Sequence, residues 1–388
     1  MTKRNVLALI GILLASLTLR PPVAAIGPLV PEIEGALGLS ATQLGILTAV
    51  PVLCFGIGAF AGPAIVRLLG LDRTLLALLA LIGVSVALRS WFGYPALLIG
   101  TTVIGLAIAV ANVILPSIVR ERFPQKVALV TAGYTLLLSI SASGAASSAV
   151  PLSATLGGWE WVLVLWGVPA VLATIVWVTQ SRETFVPLPA EHHRAETLSV
   201  YRSPISWALV AFFGFQSLGF YALLSWLPSL LIDGGRTAAE AGGLLGICTI
   251  VGVPTGIALA ANLGRFRSLA WAASITSSLT LTGLVLLLTP FQVAGAIVIG
   301  FGQAATFPIS LNLISTRATT AVQTTQLSAL SQGVGYILAA VGTFLFGFLR
   351  EVTNAWIVPL LLLVAITVIQ VFAGAVAGRN RKIENPAA

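Results

Sequence analysis

The fold turns on the stretch VIGLAIAVANVILPSIVRER (103–122) and its echo VIGFGQAATFPISLNLISTR (298–317). Both open on Val-Ile-Gly, run seventeen and nineteen residues without a charge, and close on an arginine, Arg122 and Arg317. An apolar run of about 17–25 residues without charge reads as a membrane-spanning helix. The two copies lie 195 residues apart, and other echoes hold nearly the same offset. VPEIEGALGLSATQLG from Val30 parallels LPSLLIDGGRTAAEAG from Leu227, matching Pro31 with Pro228 and Gly45 with Gly242, and Cys54 parallels Cys248. A steady offset across several helices points to a duplicated half.

The rest of the chain has the same character. Of its 388 residues, 57% are apolar and 8% are charged, and the mean hydropathy is +1.02. A soluble domain carries about 25% charged residues, so this chain cannot cover itself in water. A disordered chain, a coiled coil and a secreted disulfide scaffold are excluded on the same figures. So is a nucleic-acid binder, because the net charge of +8 gathers on no basic face. Breaks at charged, Gly and Pro clusters leave twelve apolar segments. Six lie at 5–33, 41–67, 74–92, 95–119, 127–152 and 159–180, and six at 205–232, 238–263, 268–289, 291–316, 321–349 and 354–377. The expectation is an all-α membrane protein of twelve transmembrane helices in two pseudo-symmetric six-helix bundles, 1–180 and 204–388. A polar linker, 181–203, joins them and carries His192 and His193. The opening resembles a signal peptide, but its apolar run continues to Val30, so an uncleaved first span is expected.

Charge sets the orientation. With the N-terminus inside, sixteen of the twenty Lys and Arg residues fall on the cytoplasmic side, and Arg89, Arg236 and Arg350 fall outside. Asp and Glu divide evenly, as expected when orientation follows basic residues alone. Both termini are therefore expected in the cytoplasm and the chain in the cytoplasmic membrane. One basic residue, Arg20, remains in the middle of the first segment.

Five strings resemble the major facilitator superfamily, and more narrowly its cyanate and nitroimidazole transporters. They are LRPPVAAIGPLVPEI (19–33), GLAIAVANVILPSIVRERFP (105–124), FGFQSLGFYALLSWLPSLL (213–231), FGQAATFPISLNLISTRA (301–318) and LSALSQGVGYILAA (327–340). The resemblance implies alternating access and a small polar solute, such as cyanate or a nitroimidazole. It also implies a cytoplasmic gate in GPAIVRLLGLDR (62–73), with Gly62, Arg67 and Arg73 in the family's places. The family's usual acid position there is Val66, and Asp72 is the nearby substitute. The antiporter pattern of helix 5 is not matched by SISASGAASSAVPL (139–152), which argues against drug efflux.

Arg20 is the strongest chemical signal. It lies about fifteen residues into the first helix, near the midplane at about 1.5 Å per residue. A central arginine costs about 2.5–3.5 kcal/mol on insertion scales. Pro21 and Pro22 follow, removing two amide donors and breaking the helix, which leaves the carbonyls of Leu17 and Thr18 without helical partners. Irregular backbone at this depth is tolerated where it lines a cavity or packs within protein. A guanidinium at such a break suits a carboxylate, a nitro group or a small planar anion; the structural alternative is an arginine tying carbonyls across the bundle. No acid falls at the midplane of any segment, so the usual carboxylate proton relay is missing, and uniport or exchange gains weight over proton coupling.

Polar and aromatic residues at the midplane complete the candidate site: Asn112, Tyr134, Gln216, Phe220, Tyr221, Gln303, Phe307, Gln332 and Tyr336. Gln303 and Phe307, like Gln332 and Tyr336, are four apart and share a helix face. An amide with a ring one turn away holds a small planar solute, the ring stacking and the amide orienting. The alternative is interhelical hydrogen bonding, at about 0.6–2 kcal/mol each. No metal or cofactor site is legible, and Cys54 and Cys248 read as small buried hydrophobes. Trp159 and Trp161 read as interfacial anchors. A membrane enzyme would need paired carboxylates or a metal cluster in the membrane, and a sensor would need a soluble domain. The expected protein is a monomeric transporter in the lipid bilayer, moving a small-molecule solute with a proton or an exchanged anion as coupling partner. The alternative is a multidrug or organic-compound efflux facilitator in which Arg20 is structural.

Overall fold

The first segment is three helices, α1 (Lys3–Thr18), α2 (Pro21–Ala24) and α3 (Ile26–Leu37), with the double proline at the first of the two breaks. They belong to a computed structural model that describes residues 3–180, 190–262 and 268–384, and among those residues every regular element is a helix. Gly38, at φ 62°, ends α3 in the left-handed conformation that glycine adopts without strain. Ser40 and Gln43 then open the next helix with a reciprocal capping box. The second segment is α4 (Ala41–Ala59) and α5 (Gly62–Leu69), bent by 57° at the Phe60–Ala61 break. The third to fifth are α6 (Leu71–Leu88), α7 (Gly93–Arg122) and α8 (Val127–Leu156), and the sixth is α9 (Trp159–Leu165) with α10 (Val168–Val178).

After α11 (Ala190–Arg202), the second half runs α12 (Pro204–Asp233), α13 (Ala238–Asn262), α14 (Ala270–Leu287), α15 (Gln292–Arg317), α16 (Ala321–Thr353) and α17 (Ile357–Ala377). Each of the twelve expected segments is therefore helical. Ten spans among the described residues are long and apolar enough to cross a membrane, and the bent pair α4–α5 makes an eleventh. α13, 25 residues long, stands where the remaining segment was expected. The start of the expected linker, 181–189, lies outside the described residues, as do Arg265 and Arg267. The rest of the linker is the helix α11, on which His192 and His193 fall; its Val200 is buried.

The chain divides into two compact units. Unit 1 is Met1–Lys126, Gly133–Arg194 and Thr320–Ala329; unit 2 is Val127–Ala132, Ala195–Thr319 and Leu330–Ala388. Their internal packing repeats. In the first, α4 and α6 pack on α7, and α1 and α6 pack on α10. In the second, α13 and α14 pack on α15, and α12 and α14 pack on α17.

Even single contacts recur. A Cβ on Gly105 would stand 2.9 Å from the Cβ of Cys54, and one on Gly300 would stand 2.2 Å from the carbonyl oxygen of Cys248. Likewise Gly58 faces Ala109 at 2.8 Å and Gly252 faces Ala304 at 2.5 Å. Lipid tails are as apolar as leucine, so helices in a membrane associate by close packing, and small residues at the crossings allow it. The duplication seen as an offset in the sequence is thus also a duplication of crossings.

Candidate functional site

In unit 1 the site is built on the helix 1 break. Leu19 and Arg20 are not helical, and the Arg20 carbonyl accepts from the amides of Val23 (3.2 Å) and Ala24 (3.0 Å), closing a tight turn. The Arg20 side chain is half-buried, and its guanidinium carbon stands 5.9 Å from the centre of the Phe55 ring on α4. That is the outer limit of a cation–π contact. Asn112 is buried on α7. Tyr134 is buried on α8, and its hydroxyl has no hydrogen-bond partner among the described residues. Higher in the same unit, the Ser153 hydroxyl of α8 donates to the Glu32 carboxylate of α3.

The residues expected at a cytoplasmic gate separate into two kinds. Gly62 is pressed onto α7, where a Cβ would meet Val113 at 2.9 Å, and Asp72 forms an ion pair with Arg122. The Trp177 indole of α10 donates to the Asp72 carbonyl at 3.0 Å. The start of α6, the end of α7 and the end of α10 are thereby tied together. Arg67 and Arg73 are exposed.

In unit 2 the amides and rings converge. Gln216 Nε2 of α12 donates to Gln303 Oε1 of α15 at 3.5 Å, and the Ser217 hydroxyl donates to Gln216 Oε1 at 3.4 Å. Gly219 gives the Gln303 amide room: a Cβ there would lie 3.0 Å from its Nε2. Gln303 is 8% exposed, and its Nε2 has no acceptor among the described residues. A buried donor left in that state costs about 1–3 kcal/mol, so it is a donor in want of a partner.

Around this pair, Tyr336 stands edge-on to Phe213 at 5.3 Å and to Tyr221 at 6.4 Å, while Phe307 is 6.2 Å from Phe213. Phe220 touches Tyr221 at 5.3 Å but is exposed. Gln332 is buried on α16, one turn before Tyr336.

Three features escaped the sequence. Phe213, which joins the ring cluster, was one phenylalanine among seventeen. Trp159, expected at the membrane interface, is 4% exposed and part of the core of unit 1, whereas Trp161 is exposed against Trp91; the helix α9 turns one tryptophan inward and the other outward. Arg89, expected on the outer side at the end of the third segment, is 1% exposed. Its Nη2 donates to the Pro22 carbonyl at 2.7 Å and its Nη1 to the Thr101 hydroxyl at 3.2 Å.

Two helical units with the same internal packing, built of spans fit to cross a bilayer, define a duplicated multi-pass membrane protein. The chain belongs to the Major Facilitator Superfamily, whose model matches residues 9–343. It is 31% identical over 383 residues to the 2-nitroimidazole transporter of Escherichia coli strain K12, covering 98% of each chain. With the cyanate transport protein CynX of the same organism it shares 29% identity over 357 residues, 90% of this chain and 91% of the relative. Among solved structures, a variant of the Escherichia coli fucose:proton symporter FucP superposes with a TM-score of 0.75 at 16% identity, covering 96% of this chain and 98% of that one. That likeness concerns the fold. The family is one of transporters, and this chain is a transporter and not an enzyme.

Proposed function

We propose that this transporter moves a small, acceptor-rich anion or nitro-bearing planar solute across the cytoplasmic membrane by alternating access, with Arg20 as the receiving charge. The observation that carries the reading is a half-buried arginine at a non-helical residue, where a double proline interrupts the first span. A guanidinium presents paired N–H donors to a carboxylate, nitro group or cyanate. The relatives named for nitroimidazole and cyanate transport concern solutes of this chemistry. The donor of Gln303, with Gln216 beside it, orients the solute, and Phe307, Tyr336, Tyr221 and Phe220 stack on it; Asn112, Tyr134 and Gln332 are further contacts. Gly62, Arg67, Asp72 and Arg73 belong to the cytoplasmic gate.

The same reading has the bundles 1–180 and 204–388 moving about a cytoplasmic linker, both termini inside, in a monomer. Coupling is to an exchanged anion or to a proton.

The test is uptake of labelled cyanate and 2-nitroimidazole into cells, with thermal shift of the purified protein against the same two compounds. A bound solute at about 100 times its Kd stabilises by about 2.7 kcal/mol, so at least one compound raises the unfolding temperature of the wild type. Arg20→Ala abolishes both uptake and the shift while the protein still folds. Arg20→Lys fails as well if the two-pronged geometry matters, since an ammonium is a point charge. A compound that stabilises Arg20→Ala as much as the wild type does not use Arg20. The Phe55 contact favours a second reading, in which Arg20 is structural and the chain exports organic compounds. In that case Arg20→Ala lowers the unfolding temperature equally with and without solute.

A further inference from the structure

Arg89 is a buried cation that the transport reading leaves without a role. It follows directly on α6, is 1% exposed, and makes no ion pair among the described residues. Removing a charge from water without a counter-charge is strongly unfavourable unless hydrogen bonds replace the water. Two bonds do so here, to the Pro22 carbonyl at 2.7 Å and the Thr101 hydroxyl at 3.2 Å, while Nε has no acceptor among the described residues.

The surroundings are shaped for this side chain. A Cβ on Gly100 would fall 2.4 Å from the Arg89 Cβ and 3.4 Å from its Cα, so only glycine lets α7 pass at that level. The carbonyl it reaches is not an ordinary one. Pro22 belongs to the four-residue helix α2, between the Leu19–Arg20 break and the turn at Ala25. This short piece has little helical ladder of its own to hold it, and a charge-assisted bond is about twice as strong as a neutral one.

We propose that Arg89 is the positioning residue of the helix 1 break: by gripping the Pro22 carbonyl it fixes the backbone from which Arg20, two residues earlier, projects. The inference rests on the reading of Arg20 as the receiver of the solute. Arg89 touches no solute itself and acts through the backbone of residues 20–22.

The test uses the full-length protein in detergent, with 2-nitroimidazole and sodium cyanate as probes, in two arms. In the first, hydrogen exchange is followed in peptides covering Val23 to Ile26. Arg89→Met, which keeps length and removes every donor, speeds exchange there, and Arg89→Lys, which keeps one donor for Pro22, restores it largely. In the second, probe affinity falls about tenfold in Arg89→Met, the loss of one charge-assisted hydrogen bond, and recovers in Arg89→Lys. Adding Arg89→Met to Arg20→Ala produces no further loss, because the effect passes through Arg20.

A structural role alone would lower the unfolding temperature without this dependence on Arg20. Should Arg89→Met fail to fold, Thr101→Val removes the Nη1 acceptor only and is expected to shift both arms in the same direction, by less. Wild-type exchange across 23–26 in these variants overturns the inference even if Arg20→Ala abolishes binding. Conversely, if Arg20→Ala binds the probes as the wild type does, the Arg20 reading falls, and the exchange arm still decides whether Arg89 holds the break.

Discussion

Gln303 shows what a single buried group reveals about use. An amide that served only to tie helices together would be expected to find an acceptor for its Nε2, because an unmet buried donor is destabilising by about 1–3 kcal/mol. Instead Gln303 accepts from Gln216 through its oxygen and keeps its own donor in reserve. Replacing it by leucine removes the unmet donor along with the bond to Gln216. Gln303→Leu is therefore expected to unfold within a few degrees of the wild type, or slightly higher, while binding of 2-nitroimidazole or cyanate weakens about tenfold. Parallel thermal-unfolding and binding titrations read both numbers, and a variant that loses stability but keeps affinity would make Gln303 a helix tie.

At the scale of elements, the glycine crossings carry the architecture. In each unit the second and fourth spans approach through a glycine facing a cysteine, Gly105 with Cys54 and Gly300 with Cys248. The two are not equally tight. At Gly105 the new atom would meet a side-chain Cβ at 2.9 Å, whereas at Gly300 it would meet backbone oxygen at 2.2 Å, which cannot swing away. Overpacking a close contact costs about 1–3 kcal/mol, so Gly300→Ala should sit at the upper end and Gly105→Ala at the lower. Gly242, with nothing within 4 Å of an added Cβ, is the control. Thermal unfolding in detergent should rank them Gly300→Ala below Gly105→Ala below Gly242→Ala; equal values for the first two would mean the crossing relaxes. The Asp72–Arg122 pair works at the same scale, fastening α6 to α7, with the acid at position 72 and valine at position 66.

For the molecule as a whole, orientation is the main expectation still to be measured. Basic residues hold to the cytoplasmic side during insertion, and sixteen of twenty do so with the N-terminus inside. A fluorescent protein fused after Ala388 should therefore fluoresce, and alkaline phosphatase fused there should be inactive. Phosphatase inserted at Gly157, between the fifth and sixth spans, should be active. The opposite pattern would invert the topology. The burial of Arg89 inside unit 1 does not weaken this bias, since it was counted on the outer side and the sixteen cytoplasmic basic residues are unchanged.

Much of this was legible without coordinates. A backbone in lipid must satisfy its own hydrogen bonds, so a run of apolar residues implies a helix, and hydropathy along one dimension yields the spans. The breaks were legible too where a residue enforces them, as Pro21 and Pro22 do in the first span. The duplication survived as an offset because each copy must rebuild the same crossings. What the sequence could not reveal depends on neighbours distant along the chain: Arg89 reaches Pro22 across 67 residues, Gln216 reaches Gln303 across 87, and Asp72 meets Arg122 across 50. Local pattern therefore determined the class, the spans and the break of helix 1. Only tertiary packing decided which arginine is buried, which amide keeps a spare donor and which tryptophan turns inward, because those outcomes rest on lateral contacts that no periodicity encodes.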